Sequence, residues 1–222
     1  MGIICLPYLF VSNKHLREPI KLWIKGLFKL LEFICEVTYE IRGKENIPDY
    51  PILVASKHQS AFETFALFLH VDKSIFIHKK QLLNIPIFGQ YLRKANMISI
   101  NRTEGFAAMR KILKIAKKKI QEGYSIIIFP EGTRKKILDP PNYKTGIVGL
   151  KKEVETDILP VSVYSGHCWP KNTFLKFSGN IIISFLKVIP RDTDNAILLK
   201  KIETKIEDEQ KIILKENNYK NL

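Results

Sequence analysis

Short β-rich runs alternate with helical periodicities along this chain, and that alternation predicts an α/β fold with a mostly parallel or mixed central sheet flanked by helices. Two further observations bound the prediction. The chain has 222 residues, enough for one full core and short for two. Its 45% hydrophobic and 26% charged content is that of a globular protein rather than a disordered one.

The first element is a helix over Pro19–Glu36. Lys21, Lys25, Lys29, Glu32 and Glu36 recur at steps of three or four and mark a narrow polar stripe. Around it lie Ile20, Leu22, Trp23, Ile24, Leu27, Phe28, Leu30, Leu31, Phe33 and Ile34. A wide apolar face with a tryptophan and basic residues suits a helix lying in a membrane interface. A helix packed on its own domain satisfies the same pattern. Strands are expected at Val37–Arg42, Ile52–Ala55, Ser74–Ile77, Met97–Ile100, Ser125–Phe129, Ile158–Tyr164 and Ile181–Val188. A long helix is expected from Thr103 to Glu122, where Phe106, Met109, Leu113, Ala116 and Ile120 step by three and four. Gly123 supplies its stop. The charged tail from Asp192 reads as a helix fraying into Asn217–Leu222. The expected organisation is an interfacial helical segment at 1–36, one domain carrying the chemistry at 37–190, and a C-terminal charged helix at 191–222.

Several function classes are excluded or left without support. The 36 Lys and Arg against 22 Asp and Glu give a net charge of +14, which draws a protein toward anionic surfaces or acidic substrates. No zinc spacing, basic-leucine pattern or RNA-binding aromatic signature accompanies that charge, so nucleic acid is not an expected partner. Cys5, Cys35 and Cys168 are too far apart for a metal site or a disulfide framework. Cys168 follows His167, and the pair reads as packing rather than as a nucleophile with its base. No run approaches the roughly 20 apolar residues of a transmembrane helix. Ile3–Val11 is too short for one, contains Pro7, and lacks the basic leader and cleavage site of a secretory signal.

Two segments that follow strands carry candidate chemistry. In VASKHQSAFET, residues 54–64, His58 leaves a strand and Glu63 comes five residues later. Five residues is about 500° of α-helix, so the two meet only if His58 sits in the loop before a helix. Ser60-Ala-Phe-Glu63 has capping-box spacing and would start that helix at Ser60. Glu63 therefore has a structural role and a catalytic one open to it. In a catalytic pair the carboxylate orients the imidazole and the free ring nitrogen takes a hydroxyl proton. The second segment is SIIIFPEGTRKK, residues 125–136. Gly132 permits close backbone approach, and Arg134 suits bidentate phosphate recognition. Only seven of the 36 basic residues are Arg, so in a chain this rich in Lys the Arg134 of this segment looks chosen for guanidinium geometry.

His58-x4-Glu63 with FPEGTR downstream resembles the 1-acyl-sn-glycerol-3-phosphate acyltransferase (lysophosphatidic acid acyltransferase) family. The resemblance runs from Val37 to Pro190 in four ordered blocks. The family's first block is usually His-x4-Asp, so Glu63 looks like a variant. Its second, a strand ending in Asp-Arg, appears here as Ile98-Ser-Ile-Asn101-Arg102, with Asn101 a departure. Phe129–Arg134 matches the third, and Ile158-Leu-Pro160-Val-Ser-Val163 the fourth. The resemblance implies acyl transfer from acyl-CoA or acyl carrier protein to the sn-2 hydroxyl of lysophosphatidic acid, giving phosphatidic acid. It implies His58 as general base and Glu63 as its orienting partner. Lys79 or backbone N–H groups would face the oxyanion, and Arg102 and Arg134 the acceptor phosphate, with Glu131, Gly132 and Thr133 shaping that loop. No metal or cofactor is implied. The implied location is the cytoplasmic face of the inner or cell membrane, peripheral or monotopic, on an anionic surface. Another lysophospholipid, a lyso-aminolipid or glycerol-3-phosphate as acceptor, and a non-enzymatic membrane-surface protein, stay open.

Overall fold

The computed structural model describes residues 13–86, 88–101 and 105–218. The Ile3–Val11 run, Cys5, Arg102, the expected helix start at Thr103 and the last four residues of the tail lie outside them. All seven expected strands form: β1 Val37–Arg42, β2 Leu53–Ser56, β3 Ser74–Lys79, β4 Ile98–Ile100, β5 Ser125–Ile128, β6 Ile158–Tyr164 and β7 Gly179–Phe185. They make one sheet in the order β1-β7-β6-β2-β5-β3-β4. From β6 across to β4 every neighbouring pair is parallel, whereas β7 runs antiparallel to β6 and carries β1 parallel to itself. The sheet is thus mixed, with its reversal confined to one edge.

Strand residues alternate between two cores, as the period-2 geometry of a strand covered on both faces requires. Val54, Phe76 and Ile127 point into one, with α1 (Asn13–Cys35) and α2 (Phe62–His70) above them. Leu53, Ala55, Ile75 and Ile126 point into the other, under α4 (Gly105–Gln121), α5 (Gly146–Val154) and α6 (Asn195–Glu216). A short α3 (Phe88–Lys94) precedes β4. The proline of β6 is tolerated because the strand beside it ends there. Pro160 O accepts from Leu186 N at 2.9 Å, one residue past β7, and pairing on that side resumes only at the Ile158–Ile189 bridge, so the missing N–H falls in the break between them.

Helix α1 begins six residues before Pro19, packs one face on its own domain and leaves another uncovered. Leu16, Ile24, Phe28 and Leu31 are buried, while Leu22, Leu30, Phe33 and Ile34 are exposed. Its N-terminal half is clamped by Arg17, whose guanidinium donates to Phe68 O (3.0 Å), Val71 O (2.8 Å) and Ser74 O (3.0 Å). Among the described residues no helix is long and apolar enough to cross a membrane. Among the described side chains of α4, which leave out the expected Phe106, the buried ones are Ile112 and Ala116, so the inward stripe there centres one residue away from the expected Leu113. Gly123 follows with φ +85°, as a helix stop needs. The tail helix α6 starts at an Asp194 cap whose side chain accepts from Ala196 N.

Candidate active site

The parallel strands β2 and β5 end at the same end of the sheet, and their exits build the site. Lys57 N still bonds Val161 O of β6 at 3.0 Å, and the chain leaves the sheet at His58. The helix that follows begins at Phe62 rather than Ser60, so His58 lies in the loop and Glu63 in the first turn. Nδ1 of His58 and Oε1 of Glu63 are 2.9 Å apart.

The Glu63 carboxylate is fully buried and accepts from five donors. Oε1 takes His58 Nδ1–H and the backbone N–H groups of Gln59 and Ser60, both at 2.7 Å. Oε2 takes the hydroxyls of Ser60 (2.6 Å) and Ser165 (2.9 Å). Burial alone would push this carboxyl up, but the His58 and Ser60 hydrogen bonds and the His58 charge outweigh it and hold it below the usual glutamate range. Glu63 is therefore an ionised acceptor, which assigns the ring proton to Nδ1 and leaves Nε2 the unprotonated nitrogen. No side chain caps α2 at Ala61; the oxygen that holds the loop amides of Gln59 and Ser60 also holds the imidazole. On its face the His58 ring stacks against Phe129, centroids 3.9 Å apart and planes 18° apart.

The β5 exit closes on the same histidine. Glu131 Oε2 accepts from His58 N at 3.2 Å, and Lys135 N donates to His58 O at 2.8 Å, so the His58 peptide is gripped from both sides. The turn in between is closed by Gly132 N to Phe129 O at 2.9 Å, with Gly132 at φ +70°, where a side chain would be strained. Glu131 turns inward and is buried, Thr133 is exposed, and Arg134 is half-buried with its carbonyl accepting from Lys171 Nζ at 3.1 Å. Lys79 is the exposed last residue of β3, with β5 lying between its strand and that of His58. The structure thus brings together His58, Glu63 and the Phe129–Lys135 loop, and sets Lys79 two strands away.

Sequence reasoning missed a second buried layer. Lys57, next to His58, is only 1% exposed; its ammonium donates to Glu207 of α6 at 2.7 Å and stands 3.9 Å from Glu131. Tyr143 OH donates to the same Glu207 oxygen at 2.8 Å. Ser165 and Gln59 were missed too: Gln59 Oε1 accepts from Ser165 N (2.9 Å) and Gly166 N (3.1 Å), which places the Ser165 hydroxyl on Glu63. A serine just past the β6 exit, beside β2, is the signal that could have found it. Cys168 is buried, and that burial pushes its thiol up to about 12, far from a nucleophilic thiolate. Among the described residues no group of three or more His, Cys, Asp or Glu could hold a metal ion. A cleft of about 640 Å³ between α1, β1 and α2, lined by residues such as Lys25, Thr38 and His70, shares no residue with the His58 site.

An acyltransferase family model matches residues 38–164, from β1 through β6, with His58, Glu63 and the Phe129–Arg134 loop inside it. The chain belongs to the acyltransferase family. Among its relatives is the 1-acyl-sn-glycerol-3-phosphate acyltransferase of Pseudomonas aeruginosa, 32% identical over 74% of this chain and 64% of that protein. The protein of the same name from Cocos nucifera is 28% identical over 74% of this chain and 54% of its own length. This acyltransferase therefore spans less than two thirds of the length of either. The solved structure of the 1-acyl-sn-glycerophosphate (LPA) acyltransferase PlsC from Thermotoga maritima has the same fold. Its TM-score is 0.79 at 24% identity, over 96% of this chain and 88% of that one. Glu207, the partner of Lys57, lies beyond the family match.

Proposed function

We propose that this acyltransferase moves a fatty acyl group from acyl-CoA or acyl carrier protein to the sn-2 hydroxyl of lysophosphatidic acid, giving phosphatidic acid for phospholipid synthesis. The observation that carries the reading is the 2.9 Å contact between His58 Nδ1 and an ionised, five-fold bonded Glu63, with Nε2 left as the basic nitrogen. Nε2 takes the proton of the sn-2 hydroxyl as its oxygen attacks the thioester carbonyl. The tetrahedral oxyanion then collapses, the C–S bond breaks, and the imidazolium returns its proton to the departing thiolate. Glu63 stabilises the imidazolium while it exists. Lys79 or backbone N–H groups face the oxyanion, a contribution of about 3–4 kcal/mol in comparable sites. Arg134 and Arg102 receive the acceptor's phosphate as bidentate donors, the loop of Glu131, Gly132 and Thr133 setting the position of Arg134.

Residues 1–36 serve as the membrane-facing segment, 37–190 as the catalytic unit and 191–222 as its bracing helix. The site works on the cytoplasmic face of the membrane, where an anionic surface supplies the acceptor and complements a net charge of +14. The test is thioester consumption by the purified protein with lysophosphatidic acid, beside other lysophospholipids and glycerol-3-phosphate. His58→Ala is expected to lower turnover about 10²–10⁴-fold with the fold intact. Turnover within a few-fold of wild type would remove His58 from the mechanism.

A further inference from the structure

The connection from β6 to β7, residues 165–178, joins the site at its base and is apolar at its tip. At the base, Ser165 Oγ bonds Glu63 and Lys171 Nζ bonds Arg134 O. At the tip, Phe174 is 97% exposed and Leu175 64%, with Phe177 exposed beside them. Three large apolar side chains this close together in water are unfavourable unless something covers them.

The backbone of the tip is prepared for a place without water. Lys176 turns its ammonium back onto the loop and donates to Thr173 O (3.4 Å), Phe174 O (2.8 Å) and Leu175 O (3.2 Å). The same ammonium stands 4.7 Å over the Trp169 ring. Thr173 Oγ1 accepts from Leu175 N at 3.1 Å, and Phe177 N is spent on Cys168 O at 2.9 Å. Carbonyls and amides of an irregular loop are costly in hydrocarbon unless they are bonded internally. Here they are drawn inward while the apolar side chains stay out.

The tip also adjoins the exposed edge of α1. Gly179 N, just past the loop, donates to Glu36 O at 3.1 Å, which brings the loop against the C-terminal end of that helix. There Phe33 is 87% exposed and Ile34 69%, and exposed Lys25 and Lys29 flank the edge. Aromatic and aliphatic tips with two exposed lysines on the adjoining helix match an anionic lipid surface, apolar below and negatively charged at the headgroups.

We propose that the 173–177 tip inserts into an anionic phospholipid monolayer and, with the Phe33–Ile34 end of α1, docks the site onto the bilayer. The proposal rests on the acyl-transfer reading only in taking the lipid surface that holds the acceptor as the partner. The test uses the full chain and vesicles of phosphatidylcholine and phosphatidylglycerol. The triple change Phe174→Ser, Leu175→Ser and Phe177→Ser is expected to weaken vesicle co-sedimentation about 100-fold at both low and high salt. Its melting temperature should stay unchanged, since the altered side chains are exposed. In a second variant Phe174→Trp is combined with Trp23→Phe and Trp169→Phe, which makes residue 174 the sole tryptophan. Lipids brominated along their acyl chains should then quench its fluorescence. Unchanged co-sedimentation of the triple variant, or an unquenched Trp reporter, overturns the proposal. So does a lipid-free self-association of the wild type that the triple change abolishes, because a second copy would then be the cover. Quenching needs no acceptor and no turnover. A Phe174→Trp reporter that is quenched by bromolipid, beside a wild type inactive on a water-soluble short-chain acceptor, would sink the acyl-transfer reading alone.

Discussion

Two glutamates sit at the same end of the sheet, one in the first turn of α2 and one in the loop after β5, both buried, and their surroundings drive them in opposite directions. Glu63 gathers five donors and is held below the usual carboxylate range. Glu131 is pushed above that range, first by burial, and Lys57 and the His58 amide offset this only in part. Its Oε2 accepts one backbone N–H at 3.2 Å, and its Oε1 has no hydrogen-bond partner. Equal burial therefore does not mean equal chemistry: the count of donors aimed at the ionised form decides. Glu63 is arranged to carry charge beside the His58 ring, and Glu131 to brace a loop.

The largest expected effect tests the first half of that contrast. In Glu63→Gln the amide oxygen can keep the three N–H donors while its NH₂ group donates to the Ser60 and Ser165 hydroxyls. The fold should lose about 1–2 kcal/mol or less, yet turnover should fall about 10²–10⁴-fold as support for the imidazolium disappears. Melting curves beside thioester kinetics would separate the two; parallel losses would make Glu63 a brace for the 58–60 loop and no more.

A smaller effect is expected at Glu207→Gln, which leaves the buried Lys57 with a single, more distant carboxylate. Breaking a buried pair from one side is costly, so denaturant titration should show a loss of about 3 kcal/mol. A loss below about 0.5 kcal/mol would mean that α6 does not brace the loop through this contact.

Smallest is Glu131→Gln, expected within about 1 kcal/mol of wild type near neutral pH and possessing its own pH signature. A carboxyl raised on folding lends stability below the ordinary glutamate value of about 4.3 and loses it as pH rises through its folded value. Glu63, depressed on folding, lends stability above that ordinary value and loses it as pH falls through its folded one. Removing the Glu131 carboxyl should hence flatten the melting-temperature profile above pH 4 and leave the acid limb, which belongs to Glu63, in place. A vanished acid limb would reverse the assignment of the two groups.

Periodicity made the strands legible, because a sheet covered on both faces needs apolar residues wherever it lies. All seven expected strands form, and ordered motif blocks located His58, Glu63 and the Phe129–Arg134 loop. The spacing argument for His58 also held, since it asked only whether the residue preceded the helix. What stayed hidden depends on contacts between residues far apart in the chain. Ser165 reaches Glu63 across 102 positions and Glu207 reaches Lys57 across 150, and no local pattern encodes either. The α1 question had no local answer for a different reason. Its hydrophobic residues cover more than one face, so one set enters the core and another faces outward, and composition alone cannot sort them.

Helix α1 is fastened near both ends, by Arg17 to the turn after α2 and by Glu36 O to Gly179 N. A helix held at two points cannot pivot like a tether. On the membrane reading proposed above, α1 and the 173–177 tip meet the lipid as parts of one rigid body, and His58 stands at a constant height over the headgroups. That height acts as a ruler: the sn-2 hydroxyl must rise to it while the lysolipid's own chain stays rooted in the bilayer. Discrimination among lysolipids by chain length would then follow from this standoff, before any pocket measures the incoming acyl group.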